Sequence, residues 1–152
     1  MSDLGIKDVS HVSIGVSDMQ RSIAFYRDVF GLEQACPAFP FGGPDYAQIM
    51  DLPDPRGRMC VMAGGGLQLE LFEFAQPEPA AKDPNHSVAD RGLTHFGVDV
   101  EDIEAAFARM QAQGVRFHSP VLQFPGGMKA AYGRDPDGNV FELLERCAPP
   151  IS

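Results

Sequence analysis

At 152 residues the chain is one domain's worth of polypeptide, long enough to bury a sizeable core. Its formal net charge of −9 disfavours nucleic acid and anionic membranes as partners, and no apolar run reaches the length of a membrane span. The opening residues MSDLGIKDVS lack the basic and apolar regions of a signal peptide, which points to the cytoplasm; Cys36, Cys60 and Cys147 form no CxxC and read as free thiols of a reducing compartment.

Residues 8–16 alternate as a strand does. Val12, Ile14 and Val16 point one way, and His11, Ser13 and Gly15 the other. Ser17 and Gln20 have capping-box spacing, and the following helix buries Met19, Ile23, Tyr26 and Phe30 before ending at Gly31. The segment 35–46, ACPAFPFGGPDY, reads as a loop whose Phe39, Phe41 and Tyr46 either line a ligand pocket or pack the loop down. Strands at about 57–63 and 67–74 are joined by the glycine run 64–66, a hairpin turn and not a phosphate loop. Gln68, Glu70 and Phe72 share one face of the second strand, and a carboxylate in the middle of LQLELFEF requires a partner. Residues 75–92 are polar and proline-rich and read as a linker, with His86 a solvated loop histidine.

The segment HFGVDVEDIEAAFARMQAQGVR then repeats the earlier HVSIGVSDMQRSIAFYRDVFGLE. His11 aligns with His95, Val16 with Val100 and Asp18 with Asp102. The second helix starts near Asp102, buries Ile103, Ala106, Phe107 and Met110, and ends at Gly114. Short strands near 115–123 and 128–134 precede the turn DPDGN and a last strand, NVFELLER. There Glu142 lies on one face with Val140 and Leu144. Glu70-Leu71-Phe72-Glu73 matches Glu142-Leu143-Leu144-Glu145. An internal repeat of this kind sets the architecture. The expected fold is α+β, a single domain over residues 1–152 made of two paired βαβββ modules, about 8–74 and 93–146, forming a half-barrel.

Each module supplies one His from its first strand and one Glu from its last, on faces turned from the helix. If the modules pair about a pseudo-twofold axis, His11, Glu70, His95 and Glu142 converge. Two imidazoles and two carboxylates suit a divalent ion such as Zn, Ni, Co, Mn, Fe or Mg, leaving positions for water or substrate. Glu73 and Glu145 read as solvent-facing.

These segments, with YGRDPDGNVFELLE, resemble the vicinal oxygen chelate superfamily of glyoxalase I, bleomycin-resistance proteins and extradiol dioxygenases, over about Val9 to Glu145. The resemblance implies a metal site, a small-molecule substrate chelated by its oxygens, and a homodimer. His11, Glu70, His95 and Glu142 match the four ligand positions of glyoxalase I, which moves a proton between adjacent carbons of a glutathione hemithioacetal. By analogy Glu142 is the base and Glu70 its pseudo-symmetric partner. Bacterial glyoxalase I carries an arginine and an asparagine where this chain has Gly15 and Phe74, which argues against a glutathione-linked substrate. Phe39, Phe41, Phe72 and Phe74 would then contact a less polar substrate. Lys129, Tyr132 and Arg134 could reach an anionic group of it, or Lys129 and Arg134 could be solvated. No basic cluster for a coenzyme A phosphate is visible in the sequence. The expected function is a divalent-metal-dependent lyase or isomerase that abstracts a proton beside a metal-chelated carbonyl. An Fe(II) ring-cleaving dioxygenase and a non-catalytic binding or resistance protein are the alternatives.

Overall fold

The computed structural model describes residue 5 and residues 7–146; Cys147 lies outside them. Two five-stranded sheets account for the repeat. In the first, β1 (Val12–Gly15) runs parallel to β5 (Leu67–Gln76), which pairs antiparallel with β4 (Arg56–Gly64). The outer side of β4 is covered by two short strands, β2 (Glu33–Gln34) and β3 (Phe39–Gly42). The second sheet repeats the plan. β6 (Phe96–Asp99) runs parallel to β10 (Val140–Glu145), then comes β9 (Lys129–Arg134), edged by β7 (Arg116–Phe117) and β8 (Leu122–Gln123). These are the paired βαβββ modules expected, with the strand after each first helix split in two.

The helices α1 (Met19–Phe30) and α3 (Ile103–Ala112) follow the first strand of each module. Their apolar stripes meet the inward residues of the strands. Ile14, Leu69 and Leu71 of the first sheet and Phe96, Phe141 and Leu143 of the second belong to one continuous core with Met19, Ile23 and Tyr26 of α1 and Ile103 and Met110 of α3. Phe30 joins the modules, its ring 4.9 Å from that of Phe141. Because strand side chains alternate, the residues on the opposite face of each sheet point away from this shared core.

The start of α1 differs from the sequence reading, whereas α3 starts at Asp102 as expected. Asp18, not Ser17, is the N-cap of α1 and accepts from Arg21 N, as Asp102 accepts from Ala105 N at α3. The Ser17 hydroxyl donates instead to Asp137. Glu73 and Glu145, expected to face solvent, serve the helices as well. Glu73 Oε1 accepts from Met19 N at 3.2 Å and Glu145 Oε2 accepts from Ile103 N at 2.8 Å. The exposed N–H groups and positive end of a helix N-terminus favour a carboxylate there. This explains why the second glutamate is repeated.

The segment 35–46 is not an irregular loop. Phe39–Gly42 forms β3 and Pro44–Met50 forms α2. Pro40 is tolerated because β3 is an edge strand, and Pro44 opens α2 at a position whose N–H has no helical acceptor. The turn between β4 and β5 has positive φ at Gly65 and Gly66, 55° and 80°, as a two-residue hairpin of the primed type requires.

Beyond Gln76 the linker forms no helix or strand, yet it is held. Arg116 donates to Pro84 O at 3.0 Å and to Asn85 Oδ1, and Arg134 donates to His86 O at 2.7 Å. His86 is therefore a partly buried anchor and not a solvated residue. Irregular backbone lying against a sheet must find donors for its carbonyls, and the two arginines supply them.

Candidate active site

Each module brings its histidine and glutamate together. His11 stands at the head of β1 and Glu70 opposite Ser13 on β5, with His11 Nε2 3.4 Å from Glu70 Oε2. In the second sheet Glu142 lies opposite Gly97, and His95 Nε2 is 3.2 Å from Glu142 Oε2. Two ligands of one ion at 2.0–2.1 Å are separated by about 3.0–3.4 Å, so both spacings suit either a direct contact or a shared metal. The pairs are half-buried, the glutamates at 20% and 15% side-chain exposure and the histidines at 38% and 26%.

The other imidazole nitrogens are also matched. Ser10 Oγ lies 2.8 Å from His11 Nδ1, and Thr94 Oγ1 lies 3.0 Å from His95 Nδ1. A hydroxyl accepting from Nδ1–H leaves the Nε2 lone pair aimed at the glutamate, the tautomer a metal-ligating histidine needs. Sequence reasoning missed Ser10 and Thr94, although both immediately precede the repeated histidine.

The two pairs do not meet within one chain. Among the described residues, no three or more His, Cys, Asp or Glu side chains gather so as to hold a metal ion. The reason is the shared core: each sheet turns its His–Glu face away from it. The donor set fits a divalent ion, but one chain presents it as two halves.

The surroundings of the halves differ. Beside His11 and Glu70 the face is apolar and aromatic. Phe72 and Phe74 follow Glu70 on the same side of β5. The Phe41 ring is 5.4 Å from that of Phe72, 5.0 Å from that of Phe74 and 5.4 Å from that of Tyr46. Phe41 is buried in this cluster, whereas Phe39 is exposed. Gly57 makes the cluster possible, since a Cβ there would lie 2.7 Å from the Phe41 ring. Ser13, Gly15, Met50, Leu52, Phe72 and Phe74 line a shallow cavity of about 330 Å³. No atom lies within 4 Å of where a Gly15 Cβ would sit. Past Gly15 and Phe74 opens a cavity of about 610 Å³ beneath linker residues 78–82. Ser13 Oγ donates to Glu70 Oε2 at 3.0 Å and fixes that carboxylate.

Beside His95 and Glu142 the face is mixed, with Val140 and Leu144 of β10 next to polar residues of β9. The Tyr132 ring is 4.7 Å from the His95 ring, and Tyr132 lies opposite Glu142 across the strand pair. Burial and the Glu142 charge push the Tyr132 hydroxyl pKa up, so it remains a donor. Arg134 lies two residues further along the same face. It is 7% exposed and donates to His118 Nε2, Gly138 O and His86 O. Lys129 is separated from these residues, on the helix side of β9, where it pairs with Glu145 at 3.4 Å and Glu104 at 4.0 Å. A basic cluster that the sequence did not reveal is present: His86, Arg116, His118 and Arg134 come from the linker, β7, the residue after it and β9. Their wide spacing in the chain hid them. Cys36 and Cys60 are free thiols, and no helix of the described residues is long and apolar enough to cross a membrane.

Comparison with known proteins agrees with this fold. The chain is 29% identical to the uncharacterized protein YaeR of Escherichia coli over 143 residues, 94% of this chain and 99% of that protein. It is 31% identical over 116 residues to a 2-epi-5-epi-valiolone epimerase of Actinomyces, covering 74% of this chain and 62% of the relative. It is 26% identical to a lactoylglutathione lyase of Arabidopsis thaliana over 143 residues, 92% of this chain but only 44% of that longer protein. The fold superposes on a glyoxalase family protein from Bacillus cereus with a TM-score of 0.84 at 22% identity, covering 97% of this chain and 99% of the other. Residues 8–143 match the family described as Glyoxalase/Bleomycin resistance protein/Dioxygenase superfamily. With two βαβββ modules, a His–Glu pair on each and this match over nearly the whole chain, the protein belongs to that superfamily.

Proposed function

We propose that the protein is a divalent-metal-dependent lyase or isomerase that moves a proton beside a carbonyl of a small substrate not linked to glutathione. One observation carries this reading: the same His–Glu pair, backed by a hydroxyl at Nδ1, occurs at equivalent positions of both modules. His11, Glu70, His95 and Glu142 would hold the ion, whose contribution is to polarise a substrate oxygen as a Lewis acid.

The protein acts as a homodimer in the cytoplasm on this reading. A twofold axis lets the first sheet of one protomer face the second sheet of its partner, giving two equivalent sites, each with two histidines and two glutamates. Glu142 is the group that carries the proton. Ser13 holds Glu70 in place, whereas among the described residues no hydroxyl holds the Glu142 carboxylate, whose recorded neighbour is the His95 ring. Tyr132, kept protonated, can donate to a substrate oxygen beside it. Gly15 and Phe74 remove the polar side chains that glutathione would need, and the space they open beside Phe72 suits an apolar substituent.

The test is reconstitution of the apoprotein with Zn, Ni, Co, Mn, Fe(II) or Mg, followed by solvent-deuterium exchange into a panel of 2-oxo, 2-hydroxy and thioester compounds. Metal-dependent label at the carbon beside a carbonyl, lost in Glu142→Gln, supports the proposal. Metal binding unaffected by His11→Ala and Glu142→Ala would overturn the site. Oxygen uptake with catechols and no exchange would replace the reaction by ring cleavage.

A further inference from the structure

The basic cluster on the second sheet lines a shallow, open cavity. His86, Arg116, His118 and Arg134, with Asn85 and Ser87, line a space of about 430 Å³. No carboxylate lines it. Neither arginine makes an ion pair among the described residues, although those at 21, 27, 56 and 146 each do. Asp83 acts on Arg134 without an ion pair, and its Oδ1 accepts from Asn85 N. Two guanidiniums beside two imidazoles, one of the guanidiniums 7% exposed, is an expensive grouping in a chain of net charge −9. The repulsion is felt locally: burial, then Arg134, Arg116 and His86, push the His118 pKa down.

The cluster is also built to hold its shape. Pro84 O, Asn85 Oδ1, His86 O and Gly138 O each accept from one of the guanidiniums, and Arg134 Nε donates to His118 Nε2 at 2.8 Å. The neutral His118 therefore carries its proton on Nδ1, a free donor. The His118 ring is 6.0 Å from that of Tyr132, which lies 4.7 Å from that of His95. The cavity thus continues the face that carries the second His–Glu pair.

We propose that this cavity binds an oxyanion, a carboxylate or phosphate group, through Arg116 and His118 in the field of Arg134. Charge-assisted hydrogen bonds of this kind are the strong ones, and a fixed guanidinium loses little freedom on binding. That the oxyanion is the far end of the substrate rests on the functional reading above; the anion site does not. The substrate class is then a small carbonyl compound with an apolar arm for the Phe72–Phe74 side and an anionic end for this one.

The experiment is titration of the metal-free protein with inorganic phosphate and, separately, malonate, followed by the imidazole NMR signals of His118 and His86 at constant ionic strength. Saturable shifts are expected, with affinity lowered at least about tenfold in Arg116→Gln and unchanged in Arg109→Gln on the exposed face of α3. Arg116 is exposed but also holds Pro84 and Asn85, so Arg116→Lys, which keeps a cation and a donor for the linker, is run beside it and is expected to retain saturable shifts. Which of the two anions saturates tells phosphate from carboxylate. His11→Ala retains the shifts even if the metal reading fails. Shifts that stay linear in concentration, or that persist at full strength in Arg116→Gln, overturn the site.

Discussion

If the site is shared between protomers, two inactive variants must rescue each other. In a dimer of His11→Ala with His95→Ala, one site combines the damaged first pair of one protomer with the damaged second pair of its partner. The other site combines the intact first pair of the His95→Ala protomer with the intact second pair of the His11→Ala protomer. Half the subunit pairs formed by equal, random mixing are heterodimers, and each holds one intact site of two, so about a quarter of the wild-type sites return. The assay is to unfold the two variants together, refold them, and count tight metal sites by titration. Each variant refolded alone sets the background. The division follows from the structure: each His–Glu pair lies on a sheet face turned from the common core, and no third ligand joins either pair among the described residues. Recovery at the background level, in a sample shown to contain heterodimers, would refute the reasoning.

The helix-supporting glutamates should act in stability alone. Glu145→Ala is expected to cost about 1–2 kcal/mol and Glu73→Ala about 1 kcal/mol in urea unfolding, the longer bond of Glu73 being the weaker. Replacing Gly15 by Leu should leave folding intact, since the space beside it is open, yet raise KM for substrates with a bulky apolar arm while leaving small 2-oxo compounds unaffected; an equal effect on both would remove the pocket assignment. Because the His118 pKa is lowered in the folded state, the unfolded chain binds its proton more readily. Its contribution to stability is full above the unfolded value of about 6.5 and declines as pH falls toward the folded pKa. His118→Gln, which retains an acceptor for Arg134 Nε, should flatten the stability profile on the acid side of neutrality in thermal melts.

Much of the fold was legible because the repeat was. Strand alternation around His11 and His95 and the matched Glu70 and Glu142 placed the site residues on the correct faces, and the hairpin glycines set the β4–β5 register. Three matters were not legible, each for a physical reason. Whether the His–Glu faces converge within a chain depends on how the modules pack, and alternation within a strand carries no information about that. The edge strand β3 and the helix α2 were hidden in a segment of Pro, Gly and Phe, because Pro40 and Pro44 occupy the positions where a missing N–H does no harm. Arg116 and His118 carried no signal, and Arg134 was open between an anionic substrate group and solvent, since their neighbours come from different strands and from the linker. Lys129 was placed with Tyr132 by proximity in sequence, but the odd separation puts them on opposite faces.

The two glutamates of each last strand stand three residues apart, so they face opposite sides of the sheet. A slip of one residue in strand pairing exchanges every side chain between faces. In this chain such a slip would drive Glu70 or Glu142 into the hydrocarbon interior and simultaneously strip a helix start of its carboxylate. Misregistered sheets are therefore penalised twice, once by desolvation and once by a frayed helix. The odd spacing works as a proofreading device for folding, and it guarantees that any copy of the sheet stable enough to persist displays its functional carboxylate outward.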